Sequence, residues 1–243
     1  MLAKRIPGLA FAYRKVTAML GVGAGRRHIR RVFGEIFQKN AWGSPVSLSG
    51  SGSSLEQTSV VRAELPALCA EFGVSRLLDI PCGDFHWMQH TNLAGITYWG
   101  ADVVDALIQG NSRRYTDSAA ERNFLVLDLC SDPLPEVELI LCRDCLVHLS
   151  TSDIFRALAN VSRSKAKYFL TTTFTERTDN PDIVTGGWRP VNLCLGPFSL
   201  PAPIRVFNER CTEDDNRYGD KSLGLWRISD IASVLQARGN QFA

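Results

Sequence analysis

The sequence predicts an α/β fold: a doubly wound, mostly parallel sheet with helices on both faces and an antiparallel C-terminal strand pair. Two observations support this. From residue 55 onward, short apolar runs alternate with helix-like segments, which is typical of parallel βα units. The chain has 243 residues, 45% hydrophobic and 21% charged, the balance of one globular domain with a large core. A ligand is expected at the carboxyl ends of the strands of such a sheet.

Positive charge is concentrated at the N-terminus. Residues 1–31 contain eight Lys and Arg residues and no acidic one, whereas the whole chain has a net charge of only +2. We therefore expect a basic arm over residues 1–31 and a single domain over residues 32–243. Apolar residues at helical spacing make the arm either an amphipathic helix that contacts a membrane surface or an ordinary extension. The near-neutral total gives no case for nucleic acid binding.

Two segments precede the alternating region. A helix is predicted over residues 30–40, which carry apolar residues at helical spacing. Residues 43–54 consist mostly of Ser and Gly, a composition that we expect to hold no regular element. This stretch is interpreted either as a linker or as a lid over a ligand.

In the alternating region, apolar runs predict strands and periodic segments predict helices. Parallel strands are expected at residues 76–80, 98–102, 123–127, 139–143 and 168–174, and the antiparallel pair at residues 204–208 and 222–228. Helices are expected at residues 55–72, 87–91, 104–115, 151–162 and 230–238. Five prolines between residues 175 and 203 exclude a long helix or central strand, which indicates an insertion.

Three acidic residues follow predicted strands. Asp79 ends an apolar strand and precedes the tight turn Ile80-Pro81-Cys82-Gly83-Asp84, where Gly83 lets a ligand approach the backbone and Asp79 can meet a ligand ammonium. Asp102 ends the second strand, where a carboxylate can accept both hydroxyls of a ribose. Asp128 follows the third. Taken alone, each acid is better explained as a helix cap or a solvated loop residue.

These motifs, with the fourth-strand run Leu139-Ile140-Leu141-Cys142-Arg143-Asp144-Cys145-Leu146-Val147-His148-Leu149, resemble the class I S-adenosylmethionine-dependent methyltransferases. The resemblance implies S-adenosyl-L-methionine as cofactor and methyl transfer to a small-molecule acceptor as activity. The implied cofactor-binding residues are Asp79, Pro81, Gly83, Asp102, Asp128 and Arg143, with Asp128 receiving the adenine amino group. Pro81 and Phe85 stand where that family often has glycines, so a stiffer and bulkier turn is expected.

The acceptor side is less defined. The insertion over residues 175–203 is expected to cover the acceptor site. Aromatic and basic residues there and later in the chain either suit an anionic or sugar-like acceptor or form an ordinary solvated rim with the tryptophans in the core: Trp188, Arg189, Arg205, Arg210, Lys221 and Trp226. Asp144 and His148 follow the fourth strand, where the methyl group is expected, so either is a candidate general base. His148 is alternatively a residue that orders the turn.

Two alternative functions are considered for this sequence. A dinucleotide-dependent oxidoreductase needs a G-x-G-x-x-G turn, but Pro81 and His86 stand at the flanking positions, which favours methyl transfer. A non-catalytic module that docks through the basic arm on a membrane or an acidic partner is the second alternative.

Cysteine and histidine placement predicts no metal site. Cys142 and Cys145 form a C-x-x-C without a second pair and are expected to be ordinary buried thiols, and the four histidines lack metal-ligand spacing. Seven cysteines are too few and too irregularly placed for a secreted disulfide scaffold, so a cytoplasmic location is expected.

Overall fold

The computed structural model describes residues 28–42, 44–116 and 121–240. The predicted basic arm lies outside the described residues except for its last four, and those belong to a helix over residues 28–38 (α1). Ile29 of this helix is buried in the core, and Arg30 lies 3.7 Å from the carboxylate of Asp132. Residues 28–31 therefore pack against the body of the protein.

One sheet of seven strands forms the centre of the molecule, in the order β3-β2-β1-β4-β5-β7-β6. The first five strands are parallel, and β7 runs antiparallel between β5 and β6. Their bounds are Arg76–Asp79 (β1), Thr97–Asp102 (β2), Arg122–Val126 (β3), Leu139–Cys142 (β4), Tyr168–Phe174 (β5), Arg205–Asn208 (β6) and Lys221–Arg227 (β7). The predicted fold class is confirmed, and each predicted strand end lies within one residue of the observed end.

The helices alternate with the strands as expected. They are Ser59–Glu71 (α2), Asp105–Tyr115 (α3), Thr151–Ser162 (α4), the short Glu213–Asn216 (α5) and Ile228–Asn240 (α6). At the start of α4, the side chain of Ser150 accepts a hydrogen bond from the backbone of Asp153, a standard N-cap. The helix predicted over residues 55–72 begins later, and the one over 87–91 is only the 3-10 turn Met88–His90.

Both faces of the sheet are covered. Successive strand residues point to opposite faces, so Leu77 packs with Val61 and Leu65 of α2, whereas Leu78 packs in a second cluster with Ile154 of α4. All five side chains are fully buried. This two-sided burial accounts for the near-continuous apolar runs of the central strands.

The Ser/Gly loop, residues 44–54, contains the 3-10 turn Ser51–Ser53, so the expectation that it holds no regular element is wrong. Asp84 stabilises this loop by hydrogen bonds. Its carboxylate accepts hydrogen bonds from Ser47 Oγ at 3.0 Å and from the backbone N–H of Leu48 at 2.8 Å, and its own N–H donates to Ser49 Oγ at 3.0 Å. Loop composition gives no indication of this partner, because it lies 35 to 37 positions away in sequence.

Between residues 175 and 203 there is neither helix nor strand, as the prolines predict. The segment is fastened by Arg189, which is buried and donates through Nε to the carbonyl of Pro181 at 2.9 Å. Its Nη1 lies 3.2 Å and 3.3 Å from the carbonyls of Leu146 and Val147. Arg189 therefore joins the insertion to the turn that follows β4. None of the described helices is long and apolar enough to cross a membrane.

Candidate active site

A cavity opens at the carboxyl ends of β1, β2 and β4, the position at which doubly wound sheets bind ligands. We call it the main cavity, and it encloses about 1060 Å³ between protein atoms, its mouth included. All eight site residues predicted from the sequence line it: Asp79, Pro81, Gly83, Asp102, Asp128, Arg143, Asp144 and His148. The fold thus brings together side chains that are spread over 70 positions of the chain.

Asp79 is the deepest of the three strand-end acids. Asp79 is 2% exposed, and its Oδ2 accepts a hydrogen bond from the hydroxyl of Tyr98 at 2.7 Å. Burial raises the pKa of Asp79 to about 7, although the bond from Tyr98 and the charge of Arg143 both oppose this shift. A cation in the main cavity would stabilise the ionised carboxylate.

Asp102 connects the turns that follow β1 and β2. Its two carboxylate oxygens accept the backbone N–H groups of Val104 at 2.9 Å and of Gly83 at 3.2 Å. Burial raises the pKa of Asp102 to about 6, against the effect of these hydrogen bonds. Each oxygen keeps a further lone pair for a ligand hydroxyl.

Asp128 caps the turn after β3. It accepts hydrogen bonds from the backbone of Cys130 at 2.8 Å and from the hydroxyl of Ser131 at 2.9 Å. Burial raises the pKa of this carboxyl too. The capping and ligand-binding interpretations are compatible here, because Asp128 also lines the main cavity.

The turn after β1 presents less bulk to the main cavity than the sequence suggests. Phe85 does not line the main cavity; it is 1% exposed and packs against the rings of Tyr98, Tyr115 and Phe124, with centroids 5.0 to 5.3 Å away. Its backbone has φ 60°, a left-handed conformation that turns the side chain into the core. Only Pro81 of the two unusual residues contacts the cavity.

A buried network of charges lies beneath the other end of the main cavity. Arg143 donates to Glu209 Oε2 through Nε at 3.0 Å and through Nη2 at 2.6 Å, and its Nη1 lies 3.2 Å from Asp144 Oδ2. The ammonium of Lys221 donates to the same Asp144 oxygen at 2.6 Å. The nitrogens of Arg143 thus face carboxylates of the protein, and its predicted contact with a cofactor stays a prediction.

This network determines the charge of Asp144. Burial opposes its ionisation, but Lys221 and Arg143 outweigh burial and lower the pKa of Asp144 to about 2. A carboxylate held ionised so strongly is a weak proton acceptor at neutral pH. Sequence reasoning missed Glu209, which follows an edge strand and carries no recognisable motif.

His148 has the geometry of a neutral base. Its Nδ1 lies 2.8 Å from the carbonyl oxygen of Gly187, and because a carbonyl only accepts, Nδ1 carries the proton and Nε2 is the acceptor. Burial lowers the pKa of His148, which keeps the ring neutral at neutral pH. The ring lies against the indole of Trp42, with centroids 5.2 Å apart.

A second cavity adjoins the main one. The two share Trp42, Ser49, Asp144 and His148. The remaining lining of the second cavity comes from the Ser/Gly loop, from the ends of β5 and β7 and from the segments between them: Gly50, Ser51, Gly52, Phe174, Trp188, Cys211, Glu213, Tyr218 and Lys221. The sequence pointed to Trp188 and Lys221, whereas Phe174, Glu213 and Tyr218 lack any distinguishing signal.

The described cysteines near the site form neither a disulfide nor a metal site. Cys142 is fully buried, Cys145 is half-buried in the lining of the main cavity, and both are free thiols. Within the part of the chain that the structure describes, no group of three or more His, Cys, Asp and Glu side chains is arranged to hold a metal ion.

The strand order, the antiparallel β7 and the acids at the ends of β1 and β2 define the class: the chain has the fold of the class I S-adenosylmethionine-dependent methyltransferases. Human N-acetylserotonin methyltransferase, solved in complex with S-adenosylmethionine, aligns with a TM-score of 0.53 at 12% identity over 70% of this chain and 52% of that one. The present chain therefore spans about half the length of that enzyme.

Two bacterial structures are similar to the same extent. The N-methyltransferase NodS from Bradyrhizobium japonicum, in complex with S-adenosylhomocysteine, gives a TM-score of 0.52 at 15% identity, covering 70% of this chain and 87% of that one. The methyltransferase domain of bacterial CtHen1 gives 0.52 at 10% identity, covering 72% of this chain and all of that one. No family model matches the sequence, and no curated protein matches it. At these identities the likeness shows the fold.

Proposed function

We propose that the protein transfers a methyl group from S-adenosylmethionine to a small-molecule acceptor. One observation carries the proposal: Asp79, Asp102 and Asp128 line a single cavity at the carboxyl edge of the sheet. In this proposal Asp79 binds the ammonium of the cofactor, Asp102 the ribose hydroxyls and Asp128 the adenine amino group. When bound, the cofactor supplies a methyl group on a positively charged sulfur.

The residues present fit such a ligand. Asp79 is buried with a pKa raised to about 7, and a ligand ammonium would provide the positive partner that favours its ionised form. Asp102 is positioned by two backbone N–H groups and retains acceptor capacity on both oxygens. Together they complement a ligand that is cationic at one end and carries hydroxyls in the middle.

A dinucleotide fits this cavity poorly. The main cavity is lined by the carboxylates of Asp79, Asp102, Asp128 and Asp144. Arg143, the one arginine that lines it among the described residues, already binds Glu209 and Asp144. A pyrophosphate there would be repelled by the carboxylates and would find no available cation in the described part of the chain. This observation favours methyl transfer over hydride transfer.

The protein's contribution to the reaction is mainly positioning. Holding the acceptor close and collinear with the methyl group can supply about 7 kcal/mol or more. In our proposal His148 Nε2 accepts the acceptor's proton, while Asp144 stays ionised and orients the acceptor together with Lys221. Arg143 acts through Asp144 as a positioning residue. A cytoplasmic location and a membrane contact of residues 1–31 stay predictions.

Isothermal titration calorimetry with the full-length protein tests the proposal. We expect saturable binding of S-adenosylhomocysteine and of S-adenosylmethionine, and no comparable heat from NAD or FAD. Incubation with cofactor labelled on the methyl group and a cell extract should then transfer label to a small molecule. Absence of binding at millimolar cofactor would refute the proposal.

A further inference from the structure

We infer that the second cavity binds the methyl acceptor as an amine, with the protonated nitrogen between Glu213 and the aromatic wall formed by Phe174, Trp188 and Tyr218. This inference rests on the proposed function and specifies its substrate class. The position of the second cavity is the first observation that supports this inference. The second cavity shares Asp144 and His148 with the main cavity, so a molecule bound there has direct access to the place where the methyl group would be delivered.

The charges around the second cavity favour a cation. The ammonium of Lys221 is 2.6 Å from Asp144 and 3.7 Å from Glu209, so its charge is already matched, and Arg143 is matched by the same two carboxylates. Among the described residues, Glu213 forms no ion pair. Within this cluster there are two positive charges, on Arg143 and Lys221. There are three negative charges, on Asp144, Glu209 and Glu213, so one negative charge is left uncompensated.

The Glu213 carboxylate also has an oxygen available. Its Oε1 accepts a hydrogen bond from Ser51 Oγ at 2.5 Å, whereas Oε2 has only the thiol of Cys211 at 3.7 Å. A Cβ built on Gly52 would lie 3.2 Å from Glu213 Oε2, 3.4 Å from Asp144 Oδ2 and 3.7 Å from the ammonium of Lys221. Because Gly52 has no side chain, it places no side-chain atom against these two carboxylate oxygens.

The aromatic wall provides the second independent feature. Trp188 and Tyr218 pack edge to face with centroids 4.8 Å apart, and Phe174 is perpendicular to both at 6.2 Å and 6.1 Å. Trp188 is 42% exposed, so part of its ring is free for a ligand. The guanidinium carbon of Arg177 lies 5.8 Å from the ring centroids of Phe174 and Tyr218, a distance within the range of cation–π contacts.

An anionic acceptor, expected from the sequence, lacks its partners in the structure. Arg189 donates to the carbonyls of Pro181 and Leu146 and lines neither cavity. Arg205 and Arg210 also line neither cavity. Among the described residues, Lys221 is the one lysine or arginine that lines the second cavity, and it is neutralised by Asp144. A carboxylate or phosphate would therefore meet Glu213 without a compensating charge.

The chemistry balances for an amine. The ammonium first loses one proton to His148 Nε2, from which it passes to solvent. The neutral amine nitrogen then bonds to the methyl carbon as the carbon–sulfur bond breaks, so sulfur keeps that electron pair and the positive charge moves to nitrogen.

Three probes of matched size and different charge test the inference: phenethylamine, phenethyl alcohol and hydrocinnamate. Their affinities are measured by calorimetry at neutral pH on full-length protein saturated with S-adenosylhomocysteine. We expect phenethylamine to bind at least roughly tenfold more tightly than the alcohol, a ratio that corresponds to about 1.4 kcal/mol, and hydrocinnamate to bind most weakly. Glu213→Gln should remove the preference for the amine, and Glu213→Asp, which keeps the charge, should retain most of it.

Asp215→Asn is the matched control, because Asp215 is exposed and lines neither cavity. It should leave the preference and the melting temperature unchanged, and Glu213→Gln should leave the affinity for S-adenosylhomocysteine unchanged. Equal affinities, tighter binding of hydrocinnamate or no binding of any probe to the cofactor-loaded protein would overturn the inference. Loss of cofactor binding by the unmutated protein would instead refute the proposed function.

Discussion

A Cβ atom on Gly83 would lie 1.9 Å from the Oγ of Ser49. The turn after β1 and the Ser/Gly loop are therefore in direct contact at a point where only glycine fits. Gly83 also has φ +55°, which L-residues rarely adopt. The loop and the predicted cofactor site are consequently one structural unit, with Asp84 holding the loop by hydrogen bonds immediately beside this contact.

Replacing Gly83 by Ala should therefore weaken cofactor binding as well as stability. Gly73→Ala is the control, because Gly73 has a similar φ of +62° and nothing within 4 Å of its Cβ position. We expect Gly73→Ala to cost about 1 kcal/mol through backbone strain alone. Gly83→Ala should cost more in urea unfolding and should also reduce the calorimetric affinity for S-adenosylhomocysteine. Equal unfolding costs and unchanged affinity would show that the loop contact has no role.

Asp102→Asn should lower cofactor affinity. The amide keeps one acceptor oxygen but loses the negative charge, so hydrogen bonds to the ribose weaken by about 1–3 kcal/mol. Calorimetry with S-adenosylhomocysteine measures the effect. Asp105→Asn, an exposed neighbour at the start of α3, should bind like the unmutated protein. An Asp102 variant with full affinity would exclude this carboxylate from the cofactor site.

The contribution of Asp79 to the stability of the ligand-free protein should fall as pH rises from about 4 to about 7. Burial raises the pKa of Asp79 from 3.8 to about 7, so in this window the folded state holds a proton that the unfolded state has lost. The stabilisation from that proton is complete below pH 3.8 and is lost as pH passes through 7. Asp79→Asn should flatten this dependence in urea unfolding measured across the range, and an unchanged slope would contradict the assignment.

Cofactor binding should show the opposite trend. A ligand ammonium favours the ionised form of Asp79, so binding below pH 7 expels the proton, and affinity rises with pH by at most about tenfold per unit. Calorimetry in two buffers of different ionisation enthalpy counts the protons released. Asp79→Asn should release fewer protons than the unmutated protein; equal release would assign the proton to another group.

His148→Gln should slow methyl transfer while leaving cofactor affinity unchanged. Loss of a general base typically costs 10²- to 10⁴-fold in rate. Because burial lowers the pKa of His148, the ring should remain a neutral base somewhat below its ordinary pKa of 6.5, and the rate of the unmutated enzyme should fall only at lower pH. Single-turnover measurements over a pH series check this. A variant with the same rate and pH profile would leave His148 as a residue that orders the turn through Gly187.

The accuracy of the sequence predictions differs between elements for identifiable reasons. The central parallel strands were predicted to within one residue because strands covered on both faces are read directly as apolar runs. The Ser/Gly loop was misjudged because its stability comes from Asp84, a partner outside the loop. Phe85 was misjudged because its side-chain direction depends on a left-handed backbone that residue type does not reveal.

The sequence by itself determined the fold class and the three acids at the strand ends, because both depend on local patterns of apolar and charged residues along the chain. Only the tertiary structure decided how those acids and the lining of the second cavity are charged. The pairing of Lys221 with Asp144 and the pairing of Glu209 with Arg143 join segments far apart in sequence. Electrostatic energy depends on distance and burial in space, and neither quantity is a property of a linear pattern.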